Sequence, residues 1–135
     1  MKTSLIKKVT FHSANLLFNA KWDNKKNDEV FGLCNNPNYH GHNYDLHFSV
    51  TGNIDAETGY VIDLKLLSDL LQKEVIERFD HKNLNLDAKE FASLNPTAEN
   101  IAKVIYDIMR PKIDAEKSIK VTLYETPRNY VVYPA

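Results

Sequence analysis

The sequence predicts an α+β domain, an antiparallel sheet with two helices on one side, in the chain order β-β-α-α-β-β. Three observations carry this. Tyr44, Leu46, Phe48 and Val50 alternate with Asn43, Asp45, His47 and Ser49, the period of two of a half-buried strand. Leu64, Leu67, Leu71 and Val75 fall on one helical stripe. The helices lie between strands rather than alternating with them, which segregates them onto one side of a sheet. At 135 residues, the chain suits one domain with one core, residues 1–135.

Taken in order, Leu5 to Phe18 carries strand formers and neither Gly nor Pro, and is expected to be the first strand. Ala20 to Tyr39 reads as a long polar excursion ending in the turn cluster Asn35-Asn36-Pro37-Asn38. A loop of that length in a small domain is more often functional than idle. The alternating strand follows, and its inward face, carried backwards, takes in His42 and His40. Thr51-Gly52-Asn53 is expected to turn the chain, with a short strand at Tyr60 to Ile62. Asp63 caps a helix to about Phe79. A second helix starts at Asn95-Pro96, shows Ile101, Val104, Ile105 and Ile108 to the core, and stops at Pro111. Strands at Ser118 to Glu125 and Asn129 to Tyr133 close the chain.

Composition narrows the function classes. The chain is 43% hydrophobic and 26% charged with a net charge of −1, so neither nucleic acid nor an anionic membrane is indicated as a partner. The lysine-rich stretch Lys21 to Lys26 reads as a solvated loop. One cysteine precludes an intrachain disulfide and fits a reducing compartment. Met1 to Lys8 lacks the apolar core of a secretory signal, and no apolar run approaches membrane-spanning length. A cytoplasmic location is the expectation from these features.

Four features could carry chemistry. His40 and His42, two apart on a strand, project to one face, where they either share a metal ion such as zinc or hydrogen-bond at a strand edge. Cys34 lies among Gly, Asn and Pro, poor surroundings for a core thiol; near a cation its thiolate could act as base or nucleophile. Asp80-His81 either forms a proton relay or caps a helix end. Glu125 continues the inward face of Ile119, Val121 and Leu123, where a carboxylate is costly without a partner. It either ends the strand in solvent or grips a ligand with paired N–H donors.

With these residues in view, the chain resembles the 6-pyruvoyl-tetrahydropterin synthase family, including the related 6-carboxy-tetrahydropterin synthases. The resemblance spans Val9 to Tyr133. It rests on Phe-Gly-x-Cys-Asn-Asn-Pro-Asn-x-His-Gly-His-Asn-Tyr (Phe31 to Tyr44), Asp-His-Lys-Asn-Leu (Asp80 to Leu84), Thr-x-Glu-Asn (Thr97 to Asn100) and Tyr-Glu-Thr (Tyr124 to Thr126). It implies a tunnelling fold (T-fold), in which three subunits join their sheets into a barrel and two trimers stack as a homohexamer with active sites between subunits. It implies removal of triphosphate from 7,8-dihydroneopterin triphosphate with rearrangement of the side chain, in tetrahydrobiopterin biosynthesis. His40 and His42 match zinc ligands, Cys34 the catalytic base, and Asp80 and His81 the relay. Glu125 matches the carboxylate that anchors the pterin ring, and Thr97 and Glu99 lie in a segment lining that pocket. Five residues separate Cys34 from His40, as in the pyruvoyl-forming branch; the carboxy enzymes of the queuosine pathway typically have three.

One position departs from the pattern. The family's third zinc ligand is the histidine of Phe-x-Ala-x-His, and this chain reads Phe11-His12-Ser13-Ala14-Asn15. An amide oxygen is a poor zinc ligand beside imidazole. Asn15 either binds weakly or through water, or His12 substitutes by way of a β-bulge, or the site is crippled. The expectation is a weakened zinc site. The leading reading is a lyase of the pyruvoyl-tetrahydropterin type; a 6-carboxy-tetrahydropterin synthase and a catalytically weak pterin-binding protein with an impaired zinc site are the alternatives.

Overall fold

The computed structural model describes residues 1–135. Its sheet has five strands in the order β3-β1-β2-β4-β5: β1 (Lys2–Asn15), β2 (His40–Asn53), β3 (Lys82–Asn83), β4 (Ser118–Thr126) and β5 (Asn129–Tyr133). All neighbours are antiparallel except the two-residue β3, which runs parallel to β1. Odd residues of β1, even residues of β2 and odd residues of β4 share the inward face. Phe11 stands opposite Tyr44, Leu46 opposite Leu123, Phe48 opposite Val121, and Val50 opposite Ile119. These pairs are buried, and burial of such side chains is the main term holding helices to the sheet.

The helices cover that face. Asp63 caps α2 (Leu64–Leu71), accepting the N–H groups of Lys65 and Leu66. The helix continues through a π turn, Gln72–Ile76, into α3 (Glu77–Phe79). A row spaced strictly by four drifts around a helix of 3.6 residues per turn. The wider turn brings Val75 and Phe79 back into line with Leu67 and Leu71, and all four are buried. Short α4 (Leu84–Asp87) leads towards α5 (Ala98–Met109), which packs on β4 and β5.

Several elements differ from the sequence reading. Strand β1 ends at Asn15, not Phe18. The excursion before β2 contains α1 (Asn24–Phe31) and a 3-10 turn at Gly32–Asn35, so Lys26 is helical rather than in a loop. Asp23 caps α1, Lys26 sits 4.3 Å over the Trp22 ring, and Trp22 stacks on Phe31. Strand β2 does not turn at Gly52 but runs to Asn53, paired with Lys2. A Cβ at Gly52 would come within 3.2 Å of the Lys117 side chain, so the glycine answers crowding, not a turn. Tyr60 to Ile62 forms no strand, although Val61 and Ile62 are buried. Leu64 is exposed. The cap of α5 is Thr97, whose hydroxyl accepts the Asn100 N–H; Asn95 instead accepts the Phe18 N–H. The centre of the α5 face is Ile101, Ala102, Ile105 and Met109, with Val104 and Ile108 at its margin. No helix is long and apolar enough to cross a membrane.

The opposite face of the sheet is polar, with Thr10 donating to Asp45 and Ser4 bonded to Thr51. On it His47 packs against Tyr124, which stacks on Tyr130. Desolvation, then the Lys8 charge, lowers the His47 pKa below 6.5 against the opposing pull of Asp45. A histidine held neutral in the fold must be charged at the fold's expense when pH drops, so its contribution is present above 6.5 and is lost below it. Melting temperature should therefore decline from pH 7.5 to 5.5, and His47→Gln should make that decline shallower.

Candidate active site

The first cluster forms where the inward face runs out of hydrophobic residues. Antiparallel register sets Ser13 opposite His42 and Asn15 opposite His40, and parity aims all four side chains inward. The Nε2 atoms of His40 and His42 lie 3.0 Å apart, and His42 Nε2 is also 3.0 Å from Glu125 Oε1. Glu125 sits where the β4–β5 ladder slips register between Tyr124 and Thr126, and such irregularities re-aim side chains. It is neither deeply buried nor left in solvent: about a third of its side chain is exposed (34%) and it faces His42. Burial is the largest influence on His42 and lowers its pKa; Glu125 pulls the other way and His40 adds to the lowering. Neutral imidazole, the metal-ligating form, is thereby favoured.

Asn15 is buried in this cluster and donates through Nδ2 to the Tyr44 hydroxyl at 2.9 Å. Burial, then the Glu125 charge, raises the Tyr44 pKa, against the bond from Asn15; Cys34 raises it further. His40 Nδ1 and Ser13 Oγ are buried without a hydrogen-bond partner. His40, His42 and Glu125 are not arranged as a three-ligand metal site, and no other histidine, cysteine or carboxylate joins them. His12 does not supply it: β1 and β2 pair without interruption from Lys2 to Asn15, so no bulge exists and His12 stays on the opposite face.

Cys34 is half-buried in the 3-10 turn after α1. Its carbonyl accepts the Leu17 N–H at 2.7 Å, tying the turn to the end of β1. Further back, Asn27 is fully buried. It accepts the Asn19 N–H through Oδ1 and donates through Nδ2 to the carbonyls of Asn19 and Asp23, 3.0 Å each. Asn27→Ala strands these buried groups and should cost about 1–3 kcal/mol, read as a lowered denaturation midpoint.

The second cluster lies on the polar face. Asp80 ends the α3 segment; its Oδ1 accepts the His12 N–H at 2.8 Å and its Oδ2 meets His81 Nδ1 at 2.9 Å. Adjacent side chains can converge this way because His81 adopts a left-handed backbone, φ 57°, secured by its N–H donating to the His12 carbonyl. The His12 backbone bond is the largest cause of a lowered Asp80 pKa, and the bond from His81 adds to it. A shallow cavity of about 420 Å³ opens here, lined by His12, Asn43, His81 and Lys82 among others.

The structure thus joins His40, His42, Glu125 and Asn15 on one face and Asp80 with His81 on the other. Thr97 is occupied as a helix cap, and Glu99 is exposed with no hydrogen bond to either cluster. Sequence reasoning missed Tyr44 and Asn43 as site residues. Strand parity was the available signal, since it sends Tyr44 inward beside the histidines and Asn43 outward beside His12.

An inward-facing His-x-His on β2 with a carboxylate on the neighbouring strand β4, on a sheet covered by helices on one side, marks an α+β protein with a polar cluster at the end of its core. Comparison with known proteins gives the family. The family model described as "6-pyruvoyl tetrahydropterin synthase" matches residues 4–135. The chain is 37% identical over 127 residues to 6-pyruvoyl tetrahydrobiopterin synthase of Homo sapiens, covering 94% of this chain and 88% of that protein. It is 36% identical over 110 residues to 6-carboxy-5,6,7,8-tetrahydropterin synthase of Rickettsia conorii, covering 68% of this chain and 80% of that protein. The solved structure of Caenorhabditis elegans 6-pyruvoyl tetrahydropterin synthase superposes with a TM-score of 0.93 at 31% identity, covering 100% of this chain and 96% of that one. The chain belongs to the 6-pyruvoyl tetrahydropterin synthase family.

Proposed function

We propose that the protein is a lyase of the pyruvoyl-tetrahydropterin synthase type, acting on 7,8-dihydroneopterin triphosphate. The observation that carries this is His42 Nε2, 3.0 Å from both His40 Nε2 and Glu125 Oε1. It sets a ring-anchoring carboxylate beside two imidazoles at the mouth of one core. Glu125 Oε1 faces His42, leaving Oε2 to accept an N–H of the pterin ring, and this fixes the side chain of the substrate over the histidines. Cys34, on the adjoining turn, takes carbon-bound protons from that side chain as general base. Thr97 and Glu99 line the pocket wall contributed by the start of α5.

Asp80 and His81 complete the proton traffic. Asp80 is held ionised, keeps the proton on His81 Nδ1, and leaves His81 Nε2 free to accept or return a proton. This pair and the histidine cluster occupy opposite faces of the sheet, so His81 serves the Cys34 of a neighbouring subunit. A homohexamer built as two stacked trimers supplies that neighbour.

The donor set fits zinc only in part. His40 and His42 converge with their Nε2 atoms and would hold the ion, while Asn15, its amide nitrogen committed to Tyr44, offers a neutral oxygen at best. When bound, zinc would polarise the oxygens of the substrate side chain. Occupancy is expected only at high metal concentration.

The five-residue spacing between Cys34 and His40 supports the pyruvoyl product over the carboxy product of the queuosine branch, and a cytoplasmic setting suits both. Mass spectrometry after incubation with 7,8-dihydroneopterin triphosphate, with and without added zinc, tests the reading. 6-Pyruvoyl-tetrahydropterin with released triphosphate is expected. Carboxy product with acetaldehyde, or tight binding without turnover, would overturn it.

A further inference from the structure

His12 was a conspicuous histidine without a function once its place on the polar face removed it from the metal cluster. Its surroundings give it another. His12 Nδ1 lies 2.7 Å from Asn43 Oδ1. An amide oxygen only accepts, so the His12 proton is on Nδ1 and the ring is fixed in orientation. The rings of His12 and His81 then meet edge to face, centroids 5.9 Å apart at 76°, a favoured geometry for aromatic pairs. The backbone of residue 12 binds the same pair twice, donating to Asp80 Oδ1 and accepting from the His81 N–H.

Within its own chain the His81 side chain has one bond, from Nδ1 to Asp80, and a single bond does not fix the rotation of the ring about that contact. A ring set against it, itself tethered to a neighbouring strand, removes that freedom. We propose that His12, anchored by Asn43, is a positioning residue that orients the His81 imidazole for proton transfer. The chain of effect runs Asn43 to His12 to His81; neither Asn43 nor His12 needs to touch substrate.

The kinetic part rests on the lyase reading; the spectroscopic part does not, so the two can fail separately. Long-range proton–nitrogen NMR of the full chain labelled on histidine nitrogen reports which ring nitrogen carries the proton. In the wild-type protein His12 and His81 are both expected as Nδ1–H forms. In His12→Ala the His81 signals should move towards the averaged values of a free imidazole, and Asn43→Ala should reproduce most of that change. Added to His12→Ala, Asn43→Ala should have no further effect, because it acts through the ring already removed. Turnover should follow, with kcat lowered about fivefold to tenfold by loss of one aromatic contact and KM unchanged. His12 is exposed and β1 keeps its backbone bonds, so both variants should fold as the parent does, which circular dichroism checks. Unchanged His81 signals in His12→Ala, or full additivity of the two substitutions, would overturn the proposal. If the wild type shows no lyase activity, the NMR result alone decides it.

Discussion

Cys34→Ala and His81→Ala should each lower turnover by about 10²–10⁴-fold, the usual contribution of a positioned acid or base, while pterin binding survives. Co-expressed with separate tags, the two variants should form mixed oligomers that turn over far faster than either alone. The reason is geometric. Cys34 lies on the turn that its carbonyl ties to the Leu17 N–H just beyond β1, whereas Asp80 and His81 bond to His12 on the polar face. In the proposed hexamer the two are joined across a subunit boundary. In a mixed assembly some sites receive an intact cysteine from one subunit and an intact histidine from its neighbour. Steady-state assays of the purified mixed species check this, and a mixture no more active than its parents would place both groups in the same chain's site.

Asn15→His should tighten zinc binding by more than about a hundredfold, beyond what even an indirect partner of a ligand contributes. Asn15 stands opposite His40 on the inward face, so an imidazole there joins the two already converging. Its present amide spends a hydrogen on Tyr44, and losing that bond costs about 1 kcal/mol, small against a third nitrogen ligand. Competition with a chromophoric chelator measures the change. Equal affinities in parent and variant would show that the ion, if held, is not held at this position.

The parts of this architecture that were legible in the sequence are those governed by strand parity and helical stripes. Tyr44 to Val50 announced β2, and the same parity carried His40, His42 and Glu125 onto the inward face, where the structure brings them together. Helix α1 was not legible because it buries only Asn27. Its stability comes from the Asp23 cap, the Lys26–Trp22 contact and the bonds of one amide, none of which leaves an apolar period. Gly52 misled because glycine in a strand and glycine in a turn look alike in sequence; only the approach of Lys117 separates them. Asp80 and His81 were visible as neighbours, yet their convergence depends on a left-handed His81 stabilised by a distant residue, His12. Tertiary contacts decide such a conformation, and adjacency alone does not reveal it.

The family motif and the departure at Asn15 meet in the proposal of a pterin lyase that binds zinc weakly because an amide stands where a third imidazole would. Turnover of 7,8-dihydroneopterin triphosphate by chelator-treated protein, followed across a titration of free zinc, tests that claim most directly. Negligible activity without zinc, a rise to saturation only at high free metal, and 6-pyruvoyl-tetrahydropterin as the product throughout are expected. One zinc per chain retained against chelator after purification without added metal, with full activity, would contradict it.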